Sequence, residues 1–254
     1  LEEQYDTPLF IREKKKLYLT DAGQILKDSL ETLQSDDHRM KIRMQQSMAG
    51  KKGLTFGVTM TIGEYAVIPS LARFLKAHPQ WEIHICYGNT QTLLSRLREG
   101  TLDFAIVEGY FREDLYTTRI LQKEPFIGVA SSKHIFQKPV SCLRDLTGER
   151  LLLREHGSGT RAILTKILAL NNLSAEDFSH IIEIENIHAI VSLVREDCGI
   201  SFLYQSAVQK ELEDKTLIEI PLSDFKIAHD FSFIWNKDSI FSAQYEAIFQ
   251  ELQK

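Results

Sequence analysis

The chain has 254 residues, 43% hydrophobic and 26% charged, with a formal net charge of −5 at pH 7. That supplies apolar material for one large core or two smaller ones, and it excludes a globally basic nucleic-acid binder, so any DNA contact has to be local. Cys86, Cys142 and Cys198 are too scattered for a disulfide framework or a metal knuckle, and with no signal peptide and no apolar run long enough for a bilayer, a cytoplasmic protein with no membrane contact, metal or cofactor is expected.

The first 19 residues contain a helix-stopping Pro8 and two short β-like runs, 9–11 and 17–19, around the basic turn Arg12, Lys14, Lys15 and Lys16. A two-stranded ribbon with a cationic tip suits a DNA-backbone contact, and the same residues also read as a solvated lysine turn. The pattern Leu1-Glu2…Pro8-Leu9-Phe10…Arg12…Leu19-Thr20-Asp21-Ala22-Gly23 resembles the recognition-helix end, wing and linker start of LysR-type transcriptional regulators. The likeness runs over essentially the whole chain. It implies that residues 1–19 are the remnant of a winged helix-turn-helix whose earlier helices precede this sequence.

Thr20 fits an N-cap, and a heptad-like pattern follows through Leu26, Leu30, Leu33, Asp37, Met40 and Met44, uninterrupted to Gly50. A helix this polar has little to pack on alone, so residues 20–50 are expected to dimerise through Leu26, Leu30, Leu33, Met40 and Met44. The alternative is a single amphipathic helix lying on its own domain. The resemblance likewise implies pairing through this helix, giving a homodimer or homotetramer.

Beyond the hinge at 51–53, the apolar runs predict a strand at 54–59, a helix at 64–77, a strand at 81–87, a helix around Leu93, Leu94 and Leu97, and a strand at 102–107. This β-α-β-α-β order requires a parallel sheet with right-handed crossovers. Ligands bind beyond the carboxyl ends of such strands, where Thr59, Thr61, Asn89, Thr90 and Glu108 fall. Helix capping and turn formation is the competing reading of these residues.

A strand at 125–130 suggests that the chain leaves the first lobe near 121–124. Then come a short helical piece at 144–146, a buried strand at 151–153, the turn Gly157-Ser158-Gly159 and a helix from Thr160. Further on lie a strand at 181–184, a helix at 187–196 closed by Gly199, a strand at 200–203, a helix at 205–212, strands at 217–220 and 231–235, and a helix capped by Ser242. The expected fold is therefore α/β, with two Rossmann-like lobes. The first lobe comprises 54–124 and 239–254, and the second 125–238. This resembles the type 2 periplasmic-binding-protein-like effector domain of LysR-type regulators.

A strand feeding a glycine-rich turn into a helix leaves unpaired N–H groups and partial positive charge at the helix start, which suits an anion. Ser158 and Thr160 add hydroxyls beside Gly159; His156 and Arg161 can add charge. An ordinary turn with Ser158 capping its own helix is the alternative. The form Arg154-Glu155-x-Gly157-Ser158-Gly159-Thr160-Arg161 resembles a subset of the family that senses small anionic metabolites. With Thr59, Thr61 and Asn186, these turns are expected to face one cleft. Glu64, Glu108 and Glu155 would there repel a poly-anion or pair with an amino group. There is no metalloprotease, nucleophile-elbow, Walker or dinucleotide motif, so no enzyme is expected. The reading is a regulator that binds a small anionic effector and moves DNA-binding heads at a promoter; the alternative is a free-standing solute-binding protein of the same fold.

Overall fold

In the computed structural model, which describes residues 1–253, a short α1 (Glu2–Tyr5) leads into the hairpin β1 (Phe10–Glu13) and β2 (Lys16–Leu19). Lys14 and Lys15 turn it with positive φ angles of 45° and 69°, the conformation whose twist matches a two-residue hairpin. The basic tip stands in solvent. Lys254, at the end of the first lobe's expected second segment, lies outside the described residues.

Helix α2 (Asp21–Met48) starts where expected, with the Thr20 hydroxyl accepting from the Gly23 N–H at 3.0 Å. Leu30, Leu33, Met40 and Met44 are exposed and Leu26 is half-buried, so the apolar stripe is open. The expectation that α2 has little to pack on within its own chain is corrected. Its opposite, polar face is buried at Ser35, Asp36 and Arg39. Arg39 and Arg43 converge on buried Asp103, Arg39 Nε at 3.1 Å and Arg43 Nη2 at 2.9 Å. Asp36 accepts from Ser239 Oγ at 2.7 Å and the Ile240 N–H at 2.8 Å, and Asn236 Nδ2 donates to Ser35 Oγ at 2.8 Å. A polar face can be buried when each charge meets a partner, and here it does.

The parallel core is β3 (Lys52–Val58), β4 (Trp81–Tyr87) and β5 (Phe104–Val107), with β3 central. The helix expected from Glu64 begins as a π turn, Ile62–Ala66, and resumes as α3 (Ile68–Ala77), because Pro69 in its first turn has no N–H to give. Helix α4 (Thr90–Arg98) crosses between β4 and β5.

The exit from the first lobe expected near 121–124 falls inside a strand. A single 16-residue strand, β6 (Tyr116–Ser131), runs from one lobe into the other. The second lobe follows as β7 (Arg150–Leu153), α5 (Gly159–Leu170), β8 (His180–Glu183), α6 (Ile187–Arg195), β9 (Ser201–Tyr204), α7 (Gln209–Glu213) and β10 (Leu217–Glu219). Then β11 (Ile227–Asn236) returns along β6, antiparallel from Ile227 opposite Phe126 to Asn236 opposite Tyr116, and α8 (Ser242–Gln253) packs back on the first lobe. The sheet is thus mixed, in the order β10-β6-β11-β5-β3-β4, with β9 also on β6 and a separate parallel pair β7-β8. The parallel order expected for 54–107 holds in β3, β4 and β5, and β6 and β11 add two antiparallel crossings between the lobes.

Two local expectations also change. Asp197, at φ 58°, is the left-handed residue that closes α6; Gly199 is instead needed because a Cβ there would meet the Arg150 carbonyl oxygen at 2.5 Å. The helix expected at 205–212 splits into a 3-10 turn, Gln205–Ala207, and α7. In the core Phe104 stacks on Phe56 at 4.8 Å and on Phe233 at 4.2 Å. Among the described residues no helix is long and apolar enough to cross a membrane.

Candidate functional site

Strand ends place the chemistry. Beyond the carboxyl ends of β3, β5, β7 and β9 lie Thr59, Glu108, Arg154 and Tyr204, the last closing its strand; all four are buried. Glu108 is the centre. Thr59 Oγ1 donates to Oε2 and Thr160 Oγ1 to Oε1 at 3.4 Å, while Thr90 Oγ1 donates to its backbone oxygen at 2.8 Å. Burial pushes the Glu108 carboxyl above its usual range; the Thr59 hydrogen bond, the Arg154 charge and the Thr160 hydrogen bond act against that.

Around this acid, buried donors stand without acceptors. Thr61 Oγ1, Ser158 Oγ, Tyr204 OH and Arg154 Nη1 have no hydrogen-bond partner among the described residues. Ser158 occupies the N-cap of α5, yet its hydroxyl makes no capping bond, so the turn is not the self-capped one. Neither nearby guanidinium is a free cation. Arg154 binds Glu155 at 2.8 and 3.1 Å, and Arg161 binds Glu183 and lies 3.0 Å from both the Arg154 carbonyl and His156 Nε2. The site therefore offers dipoles rather than net positive charge.

The lobes meet over it. Glu64 and Tyr65, on the first lobe's π turn, reach His188 at the start of α6: Glu64 Oε2 to Nε2 at 2.8 Å and Tyr65 OH to Nδ1 at 2.9 Å. Asn89 Nδ2 donates to the His156 carbonyl at 3.4 Å and the Gln91 N–H to the Gly157 carbonyl at 3.2 Å. Gly159 lies so close that a Cβ would collide with the Glu108 backbone and lie 2.8 Å from Thr90 Oγ1. Beside these contacts lie cavities of about 560 Å³, lined in part by Arg154, Glu155 and Asn186, and about 710 Å³, lined in part by Gln91, Tyr110 and Lys166.

Of the residues picked out in the sequence, Thr59, Thr61, Thr90, Glu108, Ser158, Gly159 and Thr160 lie on this buried seam. Asn89, His156 and Asn186 lie at its rim. Asn89 caps α4 through the Thr92 N–H at 3.0 Å and Asn186 caps α6 through the Ala189 N–H at 2.9 Å. Tyr204 was missed, although a polar tip at the carboxyl end of an apolar strand was the available signal. The Tyr65–His188 contact spans 123 positions, and nothing local announces it.

The family model described as "LysR substrate binding domain" matches residues 50–254. The chain is 27% identical to a probable RuBisCO transcriptional regulator of Thalassiosira pseudonana, over 99% of this chain and 84% of that protein. It is 26% identical to the HTH-type transcriptional regulator CysL of Bacillus subtilis, over 92% and 78% respectively. Its fold matches the Synechocystis CcmR regulatory domain in complex with 2-PG with a TM-score of 0.70 at 19% identity, covering 80% of this chain and 96% of that one. The effector-binding domain of QuiR in complex with shikimate gives 0.67 at 20% identity, with 80% and 96% covered.

Proposed function

The chain belongs to the LysR substrate-binding-domain family of transcriptional regulators, and from that premise we propose that its interlobe seam binds a small oxyanion-bearing effector. In this reading, occupancy changes the set of the lobes and thereby the DNA-binding heads of the intact regulator at its promoter. A ligand acts this way only by favouring one arrangement over the other. The observation that carries the reading is the group of buried donors, Thr61 Oγ1, Ser158 Oγ, Tyr204 OH and Arg154 Nη1, with no acceptor among the described residues. Buried polar groups are normally paired, so four unmatched donors around one seam call for an acceptor-rich guest. That 2-PG and shikimate, held by two proteins of the same fold, are small acids supports it. The open stripe of α2 supports pairing with a second copy, and the basic hairpin tip supports a backbone contact with DNA.

Titration calorimetry against a panel of anionic metabolites tests the cleft. Thr61→Val and Ser158→Ala should each weaken the bound compound by about 10-fold or more, the worth of a hydrogen bond to a charged group. A compound that binds both variants as tightly as wild type would move the site elsewhere.

A further inference from the structure

The two cavities beside the seam differ in charge. The one of about 560 Å³ is lined by Glu155, Glu183 and Glu185 against Arg154, which Glu155 already holds. An anion entering there meets three carboxylates. The one of about 710 Å³, between α4 and α5, is lined by Lys166 and Arg161 against Glu176. Arg161 is paired with Glu183, so Lys166 is the spare cation. It lies over the Tyr110 ring, 3.8 Å from its centre, with no carboxylate partner among the described residues. Much of the remaining wall is apolar, with Leu94, Ala162, Ala169, Leu173 and Ala175. Part of the buried wall is the start of α5. Ser158, 2% exposed, lines this cavity and not the other, and its Oγ is one of the donors without a partner. The N–H groups that open a helix add further donors and partial positive charge there.

Resting on the oxyanion reading of the seam, we propose that the effector lies in this larger cavity, and that it is a single carboxylate carried on an apolar body, such as a medium-chain or alicyclic acid. The carboxylate accepts from Ser158 Oγ and the start of α5, and the body covers Leu94, Ala169 and Leu173. One spare ammonium matches one negative charge; a polyanion would leave charge unmet. The hydroxyls of a polyol would face a wall with little to pair them. The lining comes from α4 and Tyr110 of the first lobe and from α5 of the second, so a guest here touches both lobes, as one that shifts their arrangement must.

Hexanoate and acetate carry the same head on bodies of different length, and their binding to the full chain is measured by calorimetry at matched ionic strength. Wild type should bind hexanoate at least about 10-fold tighter than acetate, the worth of its extra methylenes when half-buried. Lys166→Glu reverses the spare cation and Ala169→Glu charges the apolar wall. Both positions are exposed on α5, so the fold should hold, checked by circular dichroism, and each variant should weaken hexanoate by about 5-fold or more. Equal binding of the two acids by wild type overturns the proposal, as does no binding of hexanoate at all. Hexanoate that is weakened by Ser158→Ala but by neither α5 variant overturns it too, while the oxyanion reading stands with its guest in the other cavity. Hexanoate that Ser158→Ala and Thr61→Val leave as tightly bound as in wild type overturns both.

Discussion

Replacing Asp103 with alanine tests how α2 is held. The Asp103 side chain has no solvent exposure and receives Arg39 Nε at 3.1 Å, Arg43 Nη2 at 2.9 Å, the Thr55 N–H at 2.8 Å and Tyr245 OH at 3.3 Å. Asp103→Ala removes the only carboxylate that Arg39 contacts among the described residues, leaving a guanidinium 2% exposed without that counter-charge. Stranding one member of a buried pair costs about 3–5 kcal/mol. For a chain of this size that lowers Tm by about 6–20 °C, at about 2–4 °C per kcal/mol. Arg39→Met is the contrast. It keeps Asp103 matched by Arg43, Thr55 and Tyr245, so the loss should be nearer 1–2 kcal/mol, roughly one charged hydrogen bond. Calorimetric melting gives the ordering, and hydrogen exchange over residues 35–48 shows whether α2 detaches before the body unfolds. A loss below about 1 kcal/mol for Asp103→Ala, or unchanged exchange in α2, would refute the view that this network docks the helix.

Three further outcomes follow from the same geometry. Because burial raises the folded carboxyl of Glu108 above its ordinary 4.5, the wild type holds its full stability below that value and loses it as pH rises toward and through the raised one; Glu108→Gln should equal wild type near pH 4.5 and exceed it at neutral pH, checked by urea unfolding across that window. Gly159→Ala would drive a methyl group into the Glu108 backbone across the lobe seam, so effector affinity should fall about 5- to 150-fold, the 1–3 kcal/mol of overpacking, with a larger radius of gyration by small-angle scattering; unchanged affinity would count against closure at this point. Leu33→Asp, on the exposed stripe of α2, should shift the sedimentation equilibrium toward monomer without lowering Tm; a melting loss would mean that the residue packs on its own body instead.

The sequence made the first lobe readable because its apolar runs alternate with helices of matching period, each element short and locally specified. The ends of β3, β5 and β7 could be placed for the same reason, and with them Thr59, Glu108 and Ser158. What escaped depends on partners far away in the chain. Lys123 and Glu124 make the middle of β6 look like a linker, and only its pairing with His229 and Asp230 of β11 keeps it a strand. Ser35, Asp36 and Arg39 look solvated on a helical wheel. Their burial is decided by Asp103, Asn236 and Ser239, at least 64 positions on. Thr61 and Ser158 could be placed at strand ends, but that their hydroxyls lack a partner becomes visible only once everything around them is fixed.

The two crossings limit how the regulator can move. Strands β6 and β11 form a continuous hydrogen-bonded ribbon, broken in register only between Phe231 and Ser232. A ribbon of this kind resists bending in its own plane and yields most easily by twisting, with the bulge as its softest point. The end of that ribbon, Asn236, together with the adjoining Ser239, grips α2. Torsion in that ribbon would therefore reach α2 as rotation about its own length, the way a key turns a spindle.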